Sequence, residues 1–308
     1  MRTLQLALGC VLAACGSVPS DNPDAPVTPG ADADPNAPDA PTGPDAAPPR
    51  CSPTAPFGTP TLVPNINTPF DEVALALADD ERTLFMSRVN TGDPAAIMTA
   101  ERASTDVAFG APGTTGMAAV NGVTGSEYAP TLTASGLELY FHRQDTAGIG
   151  PRVSVRGEPG GAPPTDVAVT REGEPLLDAL SPVISADGQT LYWLDFTNFT
   201  LRGAPRTGGP EAFGGDDRES TFAMNAAVLS ADELTLYYQL SSTEDDIRVS
   251  TRTATTGVFA PGVAVDNVNS PDDDYPIYLT PDGCVLYLAS DRAGGLGGFD
   301  IWEAHRGS

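Results

Sequence analysis

Residues 280–292 read TPDGCVLYLASDR, a turn followed by an apolar stretch in which a leucine precedes an aromatic residue. The same pattern occurs four more times upstream, at intervals of 45 to 55 residues. The earlier copies are 78–88 (ADDERTLFMSR), 133–143 (TASGLELYFHR), 185–195 (SADGQTLYWLD) and 230–240 (SADELTLYYQL). Short strands and Asp-Gly turns that recur about every 40 to 50 residues are typical of a β-propeller, with one four-stranded blade per repeat.

The sequence around each copy predicts the other strands of a blade. An apolar segment without clean alternation precedes each turn, as in EVALAL (72–77) and SPVIS (181–185), and indicates an innermost strand buried on both faces. A third strand follows the Leu-aromatic strand and ends at an arginine, namely Arg102, Arg156, Arg206, Arg252 and Arg306. A Phe-Gly-type step then leads to the outer strand at Phe109, Phe213 and Phe259, whereas the second repeat lacks the phenylalanine.

The fifth repeat stops after its third strand, and its missing part is found near the other end of the chain. FGTP at 57–60, followed by TLVPNIN, matches FGAP at 109–112. An N-terminal outer strand would complete the last blade and close the ring, which removes exposed sheet edges. We therefore predict an all-β fold, a single β-propeller with five four-stranded blades closed by an N-terminal outer strand. Six blades remain the alternative.

The N-terminal part predicts export. Residues 1–15, MRTLQLALGCVLAAC, combine one positive charge with an apolar run too short to span a bilayer, as in a secretion signal. LAAC at 12–15 resembles the lipobox of bacterial lipoproteins, in which the cysteine is lipidated, here Cys15; an ordinary cleaved signal peptide is the alternative. Residues 16–50 are rich in Pro, Ala and Asp and predict a disordered linker. The propeller is predicted to span 51–308.

Two cysteines remain for the folded part, Cys51 and Cys284. Cys51 lies just before the predicted outer strand, and Cys284 lies in the turn between the first and second strands of the last repeat. In an antiparallel blade these two positions lie at the same edge. Since exported proteins form disulfides, we predict a Cys51–Cys284 bond.

Composition excludes several functions. The net charge is −25 and every basic residue is arginine, so nucleic acid is not an expected partner. SDRAGGLGGFDIW (290–302) lacks the following helix that a phosphate loop needs, and its glycines indicate a turn between strands. We find no nucleophile elbow and no metal-ligand spacing, so no metal or other cofactor is expected. SADGQTLYW (185–193) only superficially resembles the aspartate box of sialidases.

A series of acidic residues precedes the innermost strands and forms the candidate binding site. Innermost strands line the central channel of a propeller, so these carboxylates are predicted to ring one mouth of it and to attract a cation or a basic peptide. Solvated turn residues are the simpler interpretation of the same pattern. The residues are Asp71, Glu72, Glu127, Asp178, Asp273 and Asp274, and the fourth repeat breaks the series.

DDDYPIYLTPDGCVLYLASDRAGGLGGFDIW (272–302) resembles the TolB-like, WD40-like β-propeller repeats of bacterial envelope proteins, and the other four repeats resemble them more weakly. The resemblance covers about residues 57–306 and implies a fold rather than an activity. Members of the family bind other envelope proteins or accompany peptidoglycan-binding or peptidase domains. TolB itself has an extra N-terminal domain where this chain has a lipobox and a linker, so its role cannot be transferred directly.

These observations predict a non-catalytic lipoprotein of the cell envelope, monomeric and not an enzyme. It would bind an envelope protein, a peptide or a glycan on its propeller. A propeller hydrolase of the glycosidase or sialidase type, acting on glycans, is the alternative function. Glycine rather than aspartate follows Cys15, which indicates the outer membrane on either its periplasmic or its surface face.

Overall fold

The structure is a computed structural model that describes residues 50–307 apart from 91, 122–124, 159–160, 216 and 241–245. These residues belong to one compact unit, Pro49–Ser308. Cys15, the predicted signal and the predicted linker as far as residue 49 lie outside the described residues. Among the described residues no helix is long and apolar enough to cross a membrane.

The described chain is almost entirely strand, with one short helix, α1 (Ala118–Asn121). The strands of the first two repeats are β2 (Asp71–Leu77), β3 (Thr83–Val89), β4 (Ala96–Glu101), β5 (Ser126–Leu132), β6 (Glu138–Asp145), β7 (Gly148–Val155) and β8 (Val167–Ala168), preceded by β1 (Thr61–Leu62). Those of the third repeat and its approach are β9 (Thr170–Arg171), β10 (Glu174–Pro175), β11 (Ala179–Ile184), β12 (Thr190–Asp195), β13 (Leu201–Pro205), β14 (Ala212–Phe213) and β15 (Asp217–Arg218). The last two repeats contain β16 (Met224–Leu229), β17 (Thr235–Leu240), β18 (Ile247–Thr251), β19 (Val263–Ala264), β20 (Asp274–Leu279), β21 (Val285–Ser290) and β22 (Asp300–His305).

Each repeat forms one antiparallel sheet. The strand before the turn, the Leu-aromatic strand and the strand before the arginine pair in that order. The first to fifth sheets are β2-β3-β4, β5-β6-β7-β8, β11-β12-β13-β15, β16-β17-β18-β19 and β20-β21-β22-β1, and a small further sheet is β10-β9-β14. The all-β prediction is therefore confirmed, and four of these five sheets have the predicted four strands, whereas the first has three.

The Leu-aromatic pair explains why the sheets stack face to face. Successive side chains of a strand point to opposite faces, so the leucine and the aromatic residue enter different cores. In β6, Leu139 packs into a core shared with the first sheet, whereas Tyr140 packs into one shared with the third. The same division holds in β21, where Leu286 faces the fourth sheet and Tyr287 faces the first. A buried apolar core thus lies between each sheet and the next, and between the fifth sheet and the first.

The fifth sheet takes its outer strand from the N-terminal side of the described chain. β1 pairs antiparallel with β22, with Thr61 opposite Glu303 and Leu62 opposite Trp302. Cys51 and Cys284 form a disulfide with Cα atoms 5.6 Å apart, which confirms the predicted pair. The N-terminal segment is therefore joined to the last repeat by backbone hydrogen bonds and by a disulfide.

The arginine after each third strand binds groups from two sheets. Its guanidinium lies over the ring of the phenylalanine that precedes the outer strand of its own repeat. The distance from the arginine Cζ to the ring centre is 4.3 Å for Arg102 over Phe109 and 4.5 Å for Arg252 over Phe259. Its Nε donates to a carbonyl of the turn that starts the second strand, at 2.7 Å from Arg102 to Glu81. Such contacts combine cation–π attraction with a charge-assisted hydrogen bond.

The same arginines meet the aromatic residue of the preceding sheet. The hydroxyls of Tyr140, Tyr192 and Tyr237 accept hydrogen bonds from Arg206, Arg252 and Arg306, respectively. Arg156, whose repeat lacks the phenylalanine, lies 4.7 Å from the ring centre of Phe85 in the first sheet. Burial lowers the pKa of Arg156 to about 10, because its Nε and one Nη have no partner among the described residues.

Candidate functional site

A cavity of about 390 Å³ lies between the innermost strands of all five sheets. Each of these strands, β2, β5, β11, β16 and β20, packs against its neighbours in the series, and β20 packs against β2. The volume falls within the usual range of small-molecule sites. This cavity is the candidate site.

The wall of the cavity is mainly apolar, because the innermost strands carry few polar side chains. That composition follows from the apolar segments that precede each turn in the sequence. Its large apolar residues are Val73, Leu75, Leu77, Pro130, Leu132, Pro182, Val183, Ile184, Val228, Ile277 and Leu279, with Tyr275, Tyr278 and Phe299.

Every innermost strand carries an irregularity where it pairs with the second strand. The pairing shifts register between Glu72 and Ala74 in the first sheet and between Pro276 and Tyr278 in the fifth, and at the corresponding place in the other three. The residues inside the shifts line the cavity, among them Val73 and Ile277. β-Bulges redirect side chains and are common beside functional sites. Here they turn one extra residue per strand toward the cavity.

Two of these irregularities place a residue other than glycine at positive φ. Ala129 has φ 50° and Ser181 has φ 46°, and a proline follows each of them. Such conformations cost of order 1–3 kcal/mol unless the surroundings hold them in place. At Ser181 the holding group is His142, whose Nδ1 accepts the Ser181 backbone N–H at 3.2 Å.

The two ends of the cavity differ in chemistry. At the end where the innermost strands turn into the second strands, Asp79 and Glu233 line the wall together with Ser185 and Ser230. At the other end Tyr275 and Phe299 form an edge-to-face pair with ring centres 5.4 Å apart. We call these the turn end and the aromatic end.

Three of the six predicted acidic residues are buried in ion pairs. Glu72 lies 2.6 Å from Arg88, Glu127 lies 2.8 Å from Arg143, and Asp274 lies 2.5 Å from Arg292. Each arginine also donates to a carbonyl of the segment leading into the innermost strand, namely that of Ile66, Val120 or Val268. Burial raises the pKa of Glu72 and Glu127 despite their arginine partners. The pairs hold the start of these three innermost strands, β2, β5 and β20, in place.

The other three lie nearer the surface and do not line the cavity either. The Asp71 carboxylate accepts the backbone N–H of Phe299, and Asp178 is exposed. Asp273 is half-buried and its N–H donates to Asp291. Three of the six predicted residues are thus held in ion pairs, and none of the six is among the residues of the cavity wall. Binding of a ligand by these six residues is untested.

Sequence reasoning missed Asp79 and Glu233 as site residues. Both belong to the turns that end innermost strands. The sequence could have indicated them, because the turns that end the innermost strands lie at the mouth of the channel opposite the one where these strands begin. The turns of the first, third, fourth and fifth repeats also contain a capping aspartate, namely Asp80, Asp187, Asp232 and Asp282. Asp187, for example, accepts the hydroxyl of Ser185 and the backbone N–H of Gln189, which lowers its pKa.

Metal binding has no support in the part of the chain that the structure describes. No group of three or more His, Cys, Asp or Glu side chains there is arranged to hold an ion.

No protein-family model matches the chain, and no curated protein sequence matches it either. Among solved structures, a thermostable family-43 glycoside hydrolase is 11% identical with a TM-score of 0.52, covering 80% of this chain and 92% of that one. The catalytic domain of a GH62 α-L-arabinofuranosidase from Coprinopsis cinerea is 14% identical with a TM-score of 0.50, covering 82% and 96%. TolB from Acinetobacter baumannii is 13% identical with a TM-score of 0.46, covering 78% of this chain and 56% of that one.

These similarities are at the level of the fold. The structures are β-propeller proteins, which agrees with the predicted fold class. They correct the prediction that the chain is not an enzyme, because glycoside hydrolases are among the proteins that share its fold. Fold similarity at such low identity assigns no activity, so an enzymatic role is open rather than excluded.

The buried His142 makes stability depend on pH. Its ring stacks on Tyr128 at 5.1 Å, and burial lowers its pKa to about 4 from the usual 6.5. The unfolded chain therefore binds the proton at a higher pH than the folded chain, so the free energy of unfolding falls as pH drops from 6.5 toward 4. Urea denaturation should show a loss of about 2 kcal/mol between pH 7 and pH 5. His142→Gln should lack this loss.

His305→Gln is the matched control. His305 is exposed and its pKa is raised by a hydrogen bond to Glu303, so its contribution is present below pH 6.5 and is lost as pH rises. His305→Gln should still lose free energy of unfolding between pH 7 and pH 5, as the wild type does. An equal decline in His142→Gln and wild type would show that other groups cause it.

Proposed function

We propose that this chain is a closed, five-bladed β-propeller that binds an apolar ligand in its central cavity. The observation that carries the proposal is the cavity itself, which all five innermost strands line with mainly apolar side chains. Two observations support closure of the ring of sheets. β1 pairs with β22, and an apolar core lies between the fifth and first sheets. Five repeats with five sheets support five blades over six.

The apolar wall favours one kind of occupant. Removing apolar surface from water contributes about 25 cal/mol per Å², whereas each polar group left without a partner costs free energy. A glycan carries many hydroxyls that this wall could not satisfy. The proposed ligand is therefore a small molecule, or a peptide side chain, with an apolar body.

The proposed setting is the bacterial cell envelope. The lipobox at Cys15 predicts a lipid anchor, and the Cys51–Cys284 disulfide supports an oxidising, exported compartment. In this setting the propeller would be tethered to the outer membrane through the segment 16–50 and exposed to envelope molecules.

The same cavity offers one observation for a second function, hydrolysis of a glycoside. Most glycosidases use two carboxylates that flank the scissile bond. Asp79 and Glu233 both line the turn end, and the Tyr192 hydroxyl donates to Glu233. The two carboxylates are the feature that favours this alternative.

Ligand binding is tested by titrating the full-length chain with N-phenyl-1-naphthylamine, a neutral probe that fluoresces in apolar surroundings. We expect saturable one-to-one binding. Ala226→Phe, which places a ring in the cavity wall, should weaken binding at least tenfold because it fills the space. Ala264→Phe, the same change on the exposed outer strand β19, should bind as wild type. No saturable binding, or equal affinity in both variants, would contradict the proposal.

Lipidation is tested by expressing the full-length gene product in a Gram-negative bacterium and analysing it by intact-mass spectrometry. The mature chain should begin at Cys15 and carry the added mass of acyl chains, and it should sediment with the outer membrane. Cys15→Ala should leave the membrane fraction. An unacylated chain, or a variant that fractionates as wild type, would refute the anchor.

Hydrolysis is tested with 4-nitrophenyl α-L-arabinofuranoside as a chromogenic substrate. For this function the wild-type chain should release nitrophenol, and Asp79→Asn or Glu233→Gln should lower kcat at least 100-fold. Asp80→Asn, one residue from the cavity wall, should have no such effect. Absence of release from the wild type counts against this alternative for that substrate class.

A further inference from the structure

We infer that the cavity takes an amphipathic organic cation, with its apolar or aromatic body between the innermost strands and its positively charged nitrogen at the turn end. The inference rests on the proposed function, since it names the ligand class of the same cavity. It is carried by the charge distribution along the cavity wall.

The charged residues in the wall are all of one sign. Within the described part of the chain, Asp79 and Glu233 are the charged side chains that line the cavity, and no arginine or histidine does so. Among the arginines that follow the third strands, Arg206, Arg252 and Arg306 bond a tyrosine hydroxyl of the preceding sheet. In the described wall itself, a ligand would meet negative charge.

Asp79 is available to a ligand. It is exposed, and its carboxylate makes no hydrogen bond or ion pair with another described residue. Its neighbour in the wall is Tyr278, whose pKa is raised by burial and then by the nearby carboxylates of Glu81 and Asp79. The Tyr278 hydroxyl thus stays neutral, so it adds no charge of its own at this end.

A hydrogen bond from a tyrosine hydroxyl orients the Glu233 carboxylate. The Tyr192 hydroxyl donates to its Oε2, and Arg252, which bonds the same hydroxyl, forms its ion pair with Glu219. Burial and Glu233 together raise the pKa of Tyr192, so that hydroxyl remains a donor. The hydrogen bond from Tyr192 gives the Glu233 carboxylate a fixed direction beside the cavity.

The aromatic end lacks a corresponding charge. Asp274 begins the innermost strand there, but it is fully buried and paired with Arg292. Tyr275 and Phe299 supply the wall instead. The cavity is therefore polarised, and attraction between unlike charges in a partly enclosed space should orient a bound amphiphile with its cation at the turn end.

The experiment compares three probes with the same phenylbutyl body: 4-phenylbutylammonium, 4-phenylbutanol and 4-phenylbutanoate. Affinities for the full-length chain are measured by calorimetry at pH 7 and low ionic strength. The ammonium should bind at least tenfold more tightly than the alcohol, and the carboxylate most weakly. Raising the salt concentration should reduce the preference, because these charges are partly open to solvent.

The double variant Asp79→Asn, Glu233→Gln should lose the preference for the ammonium and keep the wild-type affinity for the alcohol. Asp80→Asn removes the same charge next to the wall and should retain the preference. Its carboxylate accepts the backbone N–H of Arg82, and asparagine can preserve that bond.

The outcomes separate this inference from the proposed function. Equal binding of ammonium and alcohol, or a preference that survives in the double variant, overturns the inference while the apolar site stands. Binding of N-phenyl-1-naphthylamine without binding of any phenylbutyl probe also overturns it. If neither that probe nor the phenylbutyl series binds, both the inference and the proposed function fail.

Discussion

The guanidinium that follows each third strand is the interaction on which the arrangement of the sheets depends. In the third, fourth and fifth repeats, one side chain contacts the phenylalanine that leads into its own outer strand, a carbonyl of its own turn, and an aromatic residue of the preceding sheet. Arg306 shows all three, binding Phe57, the Gly283 carbonyl and the Tyr237 hydroxyl. A planar group with several fixed donors suits such a site, which lysine could not replace. Flat sheets slide easily over apolar contacts alone, and these directional bonds fix their register.

The fifth sheet shows how this constraint reaches the ends of the described chain. Phe57, under Arg306, comes from the N-terminal side, so the last repeat is complete only when that segment is in place. The Cys51–Cys284 bond then spans 233 residues of sequence. In the chain-entropy account, a loop of this length stabilises the folded state by about 5 kcal/mol. Backbone pairing, an arginine–aromatic contact and a disulfide therefore act on one short segment.

A second set of arginines determines where negative charge remains available. Arg88, Arg143 and Arg292 neutralise carboxylates at the starts of three innermost strands, at the aromatic end of the cavity. At the opposite end Arg252 is also buried, but its ion pair is with Glu219, and it reaches the Glu233 carboxylate through the Tyr192 hydroxyl. The result is a wall that is apolar along its length and acidic at one mouth. The ligand class inferred above follows from this asymmetry rather than from the net charge of the chain.

The sequence by itself determined the repeat, the strand order within each sheet, the N-terminal origin of β1 and the cysteine pair. These features are local or periodic: a Leu-aromatic pair splits between two cores because a strand alternates, and an unfinished last repeat requires its missing strand. Only the tertiary structure decided which carboxylates face the cavity. Glu72 and Asp79 are both acidic residues beside the same strand, and nothing local distinguishes them. Glu72 meets Arg88 across the strand pair and is buried, whereas Asp79 lies past the end of the strand and forms no ion pair with an arginine of the described chain.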